Sequence, residues 1–314
     1  MANVLVTGGA GFIGSHLATA LVERGHTVRV IDDFSSGRRS NLDHLRGRLE
    51  VVTGDIRREE DCLGACRDIE FVFHEAAVPS VPKSVDDPQT SHDANINGTF
   101  NVLRAAVARK VRRVIYAASS SAYGDTEVSP KNEGIRPDPL SPYAAQKLAG
   151  ETYARAFFAC YGLETISLRY FNVFGARQDP ASQYAAAIPA FVSAIIRGTP
   201  PTVYGDGEQT RDFTYIDNVV HANMLAMDVD RTSGQCVNVA SGGAVSVNQA
   251  IATINRVLGT NVRPRYAPAR TGDVRHSSAD IRLARELLGY QPIVDFEEGL
   301  RRAIEYYKEL SRQP

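Results

Sequence analysis

The chain of 314 residues predicts an α/β fold: a doubly wound parallel sheet flanked by helices, with a smaller C-terminal α/β lobe. Three observations carry that expectation. Apolar, β-branched runs alternate with helical stretches through residues 1–175. Those runs are apolar on both faces, as strands covered by helices on both sides must be. After residue 175 the rhythm breaks, with Pro180, Pro189, Pro200 and Pro201 dividing shorter elements. The length exceeds the usual single-core size. Residues 1–175 are therefore assigned to one unit, to which later segments return, and residues 176–314 mainly to a second.

The elements follow in order. "NVLVTG" (3–8) is a short β-branched run before glycines. "FIGSHLATALVERG" (12–25) sets Ile13, Leu17 and Leu21 on one helical stripe and stops at Gly25, a residue type that ends helices readily. "TVRVID" (27–32), "LEVVTGD" (49–55) and "IEFVFHEAA" (69–77) read as the next three strands. A long helix near 90–109 leads to the strand "VRRVIYAAS" (111–119), and a helix over 141–160 precedes "TISLRYFNVFG" (165–175). The last clear helix is "FEEGLRRAIEYYKEL" (296–310).

Composition excludes several classes of function. Hydrophobic residues at 43% and charged residues at 23% are ordinary for a globular protein. A net charge of −1 leaves no electrostatic footprint for nucleic acid or an anionic membrane. No apolar run approaches the roughly 18 residues of a membrane span, and "NVLVTGG" at the start is not a charged-then-apolar leader. Cys62, Cys66, Cys160 and Cys236 show neither a disulfide framework nor the companions a metal site needs. Reduced thiols in a cytoplasmic protein, with no bound metal, are expected.

"TGGAGFIG" meets two glycine spacings together, Gly9, Gly11, Gly14 and Gly8, Gly11, Gly14. Without Cβ atoms the backbone turns tightly and approaches a pyrophosphate, which then faces the positive end of a helix. The motif follows a strand and opens a helix, as that mechanism requires. An acidic residue is due about 20 positions later, and Asp32 stands at the end of the second strand. Its carboxylate accepts from the adenosine ribose and repels a 2′-phosphate, which favours NAD over NADP. Arg38 and Arg39, the counter-signal, are read as loop-surface charges.

Tyr143 and Lys147 lie four apart in a helical stretch and hence on one face. An ammonium beside a phenol lowers its pKa from about 10 toward working pH. A hydroxyl from the serine cluster 119–121 can donate to a substrate oxygen while the tyrosinate takes its proton. These groups suit the oxidation of an alcohol by a bound nicotinamide.

The set "TGGAGFIG", "GDI", "HEAAV", "SSSAYGD", "SPYAAQK" and "RYFNVFG" resembles the extended short-chain dehydrogenase/reductase family, in its nucleotide-sugar 4-epimerase branch. The resemblance extends into the second lobe through "GDGEQTRDFTYIDNV" (205–219) and "ARTGDVRHSSAD" (269–280). It implies a Rossmann-type NAD domain, a UDP-sugar lobe and a homodimer paired through the helices near 90–109 and 141–160. It places Gly8, Gly11, Phe12, Ile13 and Gly14 at the pyrophosphate. Asp32, Asp33, Phe34, Ser35, Ser36 and Gly37 surround the ribose, and Asp55 and Ile56 flank the adenine. Ala76, Ala77, Val78 and Tyr170 are implied on the nicotinamide side. Tyr143 and Lys147 are the pair derived above. The family's catalytic hydroxyl precedes the tyrosine of its "YG" signature by four residues, which selects Ser119 before Tyr123; Ser120 and Ser121 stay open.

For the substrate the resemblance implies Arg211 and Arg270 at the diphosphate, Asp273 at the uridine ribose, Asn172 at the diphosphate-sugar, and contacts from Ser80, Ser119 and Ser277. Members restricted to glucose and galactose carry a tyrosine where this chain has Ser277, and an asparagine where it has Ala186. Both departures leave room for an N-acetyl group. Ala94 falls at a position that is a cofactor-contacting asparagine in some relatives. A UDP-N-acetylglucosamine/UDP-N-acetylgalactosamine 4-epimerase is therefore expected, with activity toward the glucose and galactose pair. The alternatives are an enzyme that prefers the plain sugars, or a UDP-glucuronate epimerase, decarboxylase or dehydratase on the same scaffold.

Overall fold

A computed structural model of the protein describes residues 1–180, 187–269 and 274–312. Its first half runs β1 (Asn3–Thr7), α1 (Phe12–Glu23), β2 (Thr27–Asp32), β3 (Glu50–Thr53), α2 (Glu59–Ala65), β4 (Phe71–His74), α3 (Val81–Asp86), α4 (Pro88–His92), α5 (Thr99–Ala108), β5 (Arg113–Ser119), α6 (Pro142–Tyr161) and β6 (Glu164–Tyr170). Then come β7 (Val173–Phe174), α7 (Ala187–Ile196), β8 (Thr202–Tyr204), β9 (Thr210–Arg211), β10 (Thr214–Tyr215), α8 (Ile216–Asp228), β11 (Gln235–Val239), β12 (Val245–Ser246) and α9 (Val247–Leu258). The chain closes with β13 (Arg265–Ala267), β14 (His276–Ser277), α10 (Arg282–Leu288) and α11 (Phe296–Arg312).

Seven strands form one parallel sheet in the order β11-β6-β5-β4-β1-β2-β3. β4 and β5 are buried along almost their whole length, because helices cover both faces, and two apolar clusters fill the layers above and below. Leu17 and Leu21 of α1 are fully buried in the first of these, each worth about 1.5–3 kcal/mol of transfer free energy. Strand order reverses between β1 and β4, so their C-terminal ends open a crevice, where sheets of this kind bind ligands.

Two features depart from the sequence reading. The run 165–175 is not one strand. β6 ends at Tyr170, Phe171 donates its N–H to Val239, and the chain turns through Asn172 at φ 34° so that β7 pairs with β10 in the second lobe. The helix near 90–109 carries a π-helical turn over Asp93–Gly98 between α4 and α5. From the second half of the chain, β11 lies at the edge of the main sheet beside β6, with α8 packed on α1. Arg113, fully buried, anchors the end of α8 by donating to the carbonyls of Ala226, Met227 and Val229. No described helix is long and apolar enough to cross a membrane.

Candidate active site

The turn after β1 shows why glycines stand there. Gly8 has φ +65°, and a Cβ on it would lie 2.7 Å from the Ala76 backbone. A Cβ on Gly14 would lie 2.3 Å from the Gly8 carbonyl oxygen. Gly11 precedes α1, whose start has no side-chain cap and no acidic residue in its first turn. The amides of Phe12 and Ile13 therefore keep their positive end free for an anion. At the far side of the crevice Asp32 accepts from the amides of Ala10 and Phe34, both at 2.9 Å. These bonds fix the carboxylate and leave acceptor capacity for two ribose hydroxyls. Burial raises its pKa, and the two amide bonds oppose that rise. Gly37 fits directly against it, since a Cβ there would come within 2.8 Å of Oδ1. A glycine cradle, an uncapped helix start and an anchored carboxylate fit a dinucleotide.

The loop around that carboxylate is internally tied. Asp33 accepts from the Ser35 amide at 2.9 Å and hydroxyl at 2.6 Å, and Ser36 beside them is exposed. Arg38 pairs with Asp179 at 2.6 Å. Arg39 lies 3.9 Å over the Phe34 ring and donates to Thr53 at 2.9 Å. Both arginines are thus engaged as surface charges. Asp55 is held by Arg57, which keeps its pKa low, and Ile56 is buried beneath Gly98.

A histidine supports the loop on the other side. The Thr99 hydroxyl donates to the Asn95 carbonyl at 2.7 Å, so His74 must donate to Thr99 through Nε2. His74 Nδ1 then accepts from Thr7, whose oxygen in turn receives the Ala76 amide at 3.1 Å. This chain requires neutral imidazole, and burial lowers its pKa to about 3. Asn95, placed by the π-helical turn, accepts from Val78 N–H at 2.7 Å and donates to Gln146 at 2.8 Å. Ala94 was the position in question; the amide one residue further on braces Val78 through its N–H and its carbonyl.

Ser119 ends β5 and Tyr143 begins α6, where Ser141 caps the helix and Pro142 occupies its first position. The Tyr143 amide donates to Ser84 at 3.0 Å, docking α6 on α3. The Ser119 hydroxyl acts on the phenol of Tyr143, pulling its pKa down. Ser121 donates to Ser119 Oγ from its amide at 3.2 Å and from its hydroxyl at 2.8 Å. Ser119 therefore reaches the phenol while Ser121 supports it. Lys147, 4% exposed, follows one turn after Tyr143, its Nζ 4.9 Å from the Tyr116 ring centroid.

The expected acidification of Tyr143 is reversed here. Burial, with the Glu75 carboxylate adding to it, raises the phenol's pKa above the usual value, and only the Ser119 bond pulls it down. Burial likewise lowers Lys147, opposed by Glu75 and Glu151. Glu75, overlooked within "HEAAV", is the charge that links them. Its carboxylate accepts from Tyr170 at 2.9 Å, whose oxygen receives Asn223 Nδ2 at 2.9 Å. An acidic residue closing an otherwise apolar strand was the available signal.

The three-stranded sheet β12-β9-β14 presents Arg211 on β9 directly opposite Ser277 on β14. Arg211 donates to the Thr210 carbonyl at 2.8 Å, and Ser277 is buried with its carbonyl receiving the Asp212 amide at 2.7 Å. Asn172 donates to the Asp212 carbonyl at 3.3 Å, which brings it beside them. Ser80 caps α3 by accepting from Lys83 at 3.3 Å, so its hydroxyl already serves the helix. Arg270, Asp273 and Ala186 lie outside the described residues.

Fold and site define a dinucleotide-dependent enzyme with a tyrosine–lysine–serine cluster at the mouth of its crevice. Residues 4–240 match the NAD dependent epimerase/dehydratase family. The chain is 38% identical to the UDP-glucose 4-epimerase of Mycolicibacterium smegmatis over 315 residues, 99% of this chain and 100% of that one. The solved UDP-N-acetylglucosamine 4-epimerase of Methanobrevibacter ruminantium, in complex with UDP-N-acetylmuramic acid, superposes with a TM-score of 0.94 at 40% identity. It covers 98% of this chain and 99% of its own. The UDP-glucose 4-epimerase of Thermotoga maritima with UDP-glucose gives a TM-score of 0.94 at 38% identity, covering 99% and 100%. The protein belongs to the NAD dependent epimerase/dehydratase family, and NAD is its cofactor.

Proposed function

We propose that the enzyme is a UDP-sugar 4-epimerase that interconverts UDP-N-acetylglucosamine and UDP-N-acetylgalactosamine, and also UDP-glucose and UDP-galactose. The observation that carries the chemistry is the placing of Ser119 at the end of β5 and of Tyr143 and Lys147 one turn apart on α6, with Ser119 acting on the Tyr143 phenol. The similarity to a UDP-N-acetylglucosamine 4-epimerase and a UDP-glucose 4-epimerase supports the reaction type. The serine at position 277, opposite Arg211, supports acceptance of an N-acetyl group.

Bound NAD supplies the acceptor, and later the donor, of the C4 hydride. The sugar 4-hydroxyl gives its proton to Tyr143, acting as the phenolate, as that hydride leaves. Ser119 donates to the same oxygen, and the Lys147 ammonium stabilises the negative charge that develops there. Arg211 and Arg270 hold the diphosphate while the flat 4-keto sugar turns its other face toward the crevice. Tyr143 then returns the proton as hydride adds back, and the 4-epimer forms. The remaining cofactor and substrate contacts of the sequence reading, from Phe12 to Tyr170 and from Ser80 to Asp273, belong to this proposal.

The same reading pairs two copies of the chain through α5 and α6. Phe100 packs against Tyr153 and Phe157 at ring distances of 5.5 and 5.9 Å. Tyr161 stays 63% exposed on the same helix as Tyr153, an apolar surface suited to a cytoplasmic homodimer. The test of substrate is direct. Incubation with UDP-galactose, UDP-N-acetylgalactosamine and UDP-glucuronate, without added cofactor, should yield the 4-epimers of the first two. Conversion of UDP-glucuronate alone, or a product of lower mass, would overturn the assignment.

A further inference from the structure

The carboxylate of Asp212 lies outside the tyrosine–lysine–serine cluster, yet it joins the segments that carry the substrate residues. It follows β9 directly and is fully buried. Its Oδ1 accepts from the Ser241 amide at 2.9 Å and hydroxyl at 2.5 Å. Its Oδ2 accepts from the Gly242 amide at 3.0 Å and the Ala279 amide at 3.3 Å. Ser241 and Gly242 follow β11, and Gly242, at φ 76°, brings its amide to the carboxylate that its neighbour already binds. Ala279 follows β14. The backbone of Asp212 is engaged as well: its amide donates to the Ser277 carbonyl at 2.7 Å, and its carbonyl accepts from Asn172 at 3.3 Å. Thr210 belongs to the same ladder and donates to the Arg275 carbonyl at 3.0 Å. Side chains alternate along a strand, so with Asp212 turned inward Arg211 points to the opposite face. One buried residue thus ties together the segments of Asn172, Arg211 and Ser277.

We propose that Asp212 is a positioning residue for the substrate's diphosphate: it fastens β9 to β14 and to the turn after β11, and so aims Arg211. It acts through the arginine. This deepens the UDP-sugar reading and rests on it, since Arg211 is the diphosphate ligand of that reading. The carboxylate is needed as an anion, because all four of its bonds come from donors. Asparagine has the same shape but brings an NH2 group in place of one oxygen. In either orientation of that amide, at least one backbone N–H of Ser241, Gly242 or Ala279 faces a donor and loses its acceptor. The end of β9 then moves away from β14, and Arg211 moves with it.

The test is UDP binding to the NAD-loaded enzyme by titration calorimetry. Asp212→Asn should raise the Kd of UDP by about 10–100-fold, the worth of a buried donor left without its acceptor. KM for the UDP-sugar should rise alike while kcat falls by far less, because Ser119, Tyr143 and Lys147 stand on β5 and α6. NAD content should stay parental. Arg211→Ala should weaken UDP binding too, and adding D212N to it should weaken binding little further, since residues that act as a unit are not additive. Should D212N fail to fold, Ser241→Ala removes one of the four donors, keeps the charge, and should raise the Kd about 2–5-fold. A parental Kd in folded D212N, or in S241A, overturns the proposal even where the Tm has fallen, because Asp212 then serves stability alone. Full additivity of D212N with R211A overturns it as well. A parent that binds UDP but epimerises no UDP-sugar would sink the reaction assignment and leave this proposal standing. A parent that binds no UDP would sink the sugar-nucleotide reading and this proposal together.

Discussion

Tyr143→Phe should lower kcat by roughly 10²–10⁴-fold, the usual worth of a positioned acid–base group, with little change in KM. The phenol oxygen is the atom that receives and returns the sugar proton, and phenylalanine removes nothing else. The ring keeps its place on α6, fixed by the Tyr143 amide bond to Ser84 and by the Ser141 cap. NAD content and thermal stability should match the parent, because Ser119, which acts on the lost hydroxyl, is held independently by two bonds from Ser121. Steady-state kinetics beside cofactor release on denaturation check both halves of the expectation. A mutant that retained a tenth of parental kcat would remove Tyr143 from the reaction.

Gly14→Ala should cost the protein its cofactor. A Cβ at this position would meet the Gly8 carbonyl oxygen at 2.3 Å, the Gly9 Cα at 2.8 Å and the Gly8 carbonyl carbon at 2.9 Å. All three are backbone, so no side chain can swing aside. α1 must shift away from the turn, and the amides of Phe12 and Ile13 move with it. Overpacking of this kind costs about 1–3 kcal/mol, and displacing the helix start from the pyrophosphate adds loss of binding. The protein should purify largely free of NAD and with a lowered Tm. Gly64→Ala is the matching control, because a Cβ there meets nothing within 4 Å in α2. It should leave NAD content unchanged and stability the same or higher by up to about 1 kcal/mol.

Much of the architecture was legible because buried strands write themselves as unbroken apolar runs. β1, β2, β4 and β5 lie within the segments so read. β11, "QCVNV", was not separated from the second half, because a five-residue strand with two polar positions lacks that signature. The π-helical turn of 93–98 was illegible for another reason: its hydrogen-bond pattern leaves no compositional trace. Its consequence, Asn95 bracing Val78, is visible only once α4 and α5 are assembled around it.

At the site, the cluster of Ser119, Tyr143 and Lys147 follows from local spacing and one loop. The sign of the tyrosine's pKa does not. It depends on burial and on Glu75, which is held by Tyr170 and through it by Asn223, three residues that span 149 positions of the chain. Charges that meet only through the fold cannot be summed from a string of letters. Arg38 and Arg39 illustrate the converse, since their reading as loop charges agrees with the partners Asp179, Phe34 and Thr53 that engage them.

The central claim is that hydrogen leaves C4 of the sugar and returns to the same carbon without meeting solvent. UDP-galactose or UDP-N-acetylgalactosamine carrying deuterium at C4 tests it in one incubation with the holoenzyme, in ordinary water and without added cofactor. The account expects the epimeric product to keep its deuterium at C4, by mass spectrometry and by proton NMR. Product that forms with protium at C4 would contradict it, because the hydrogen would then have come from water and not from the group that Tyr143 helps to release.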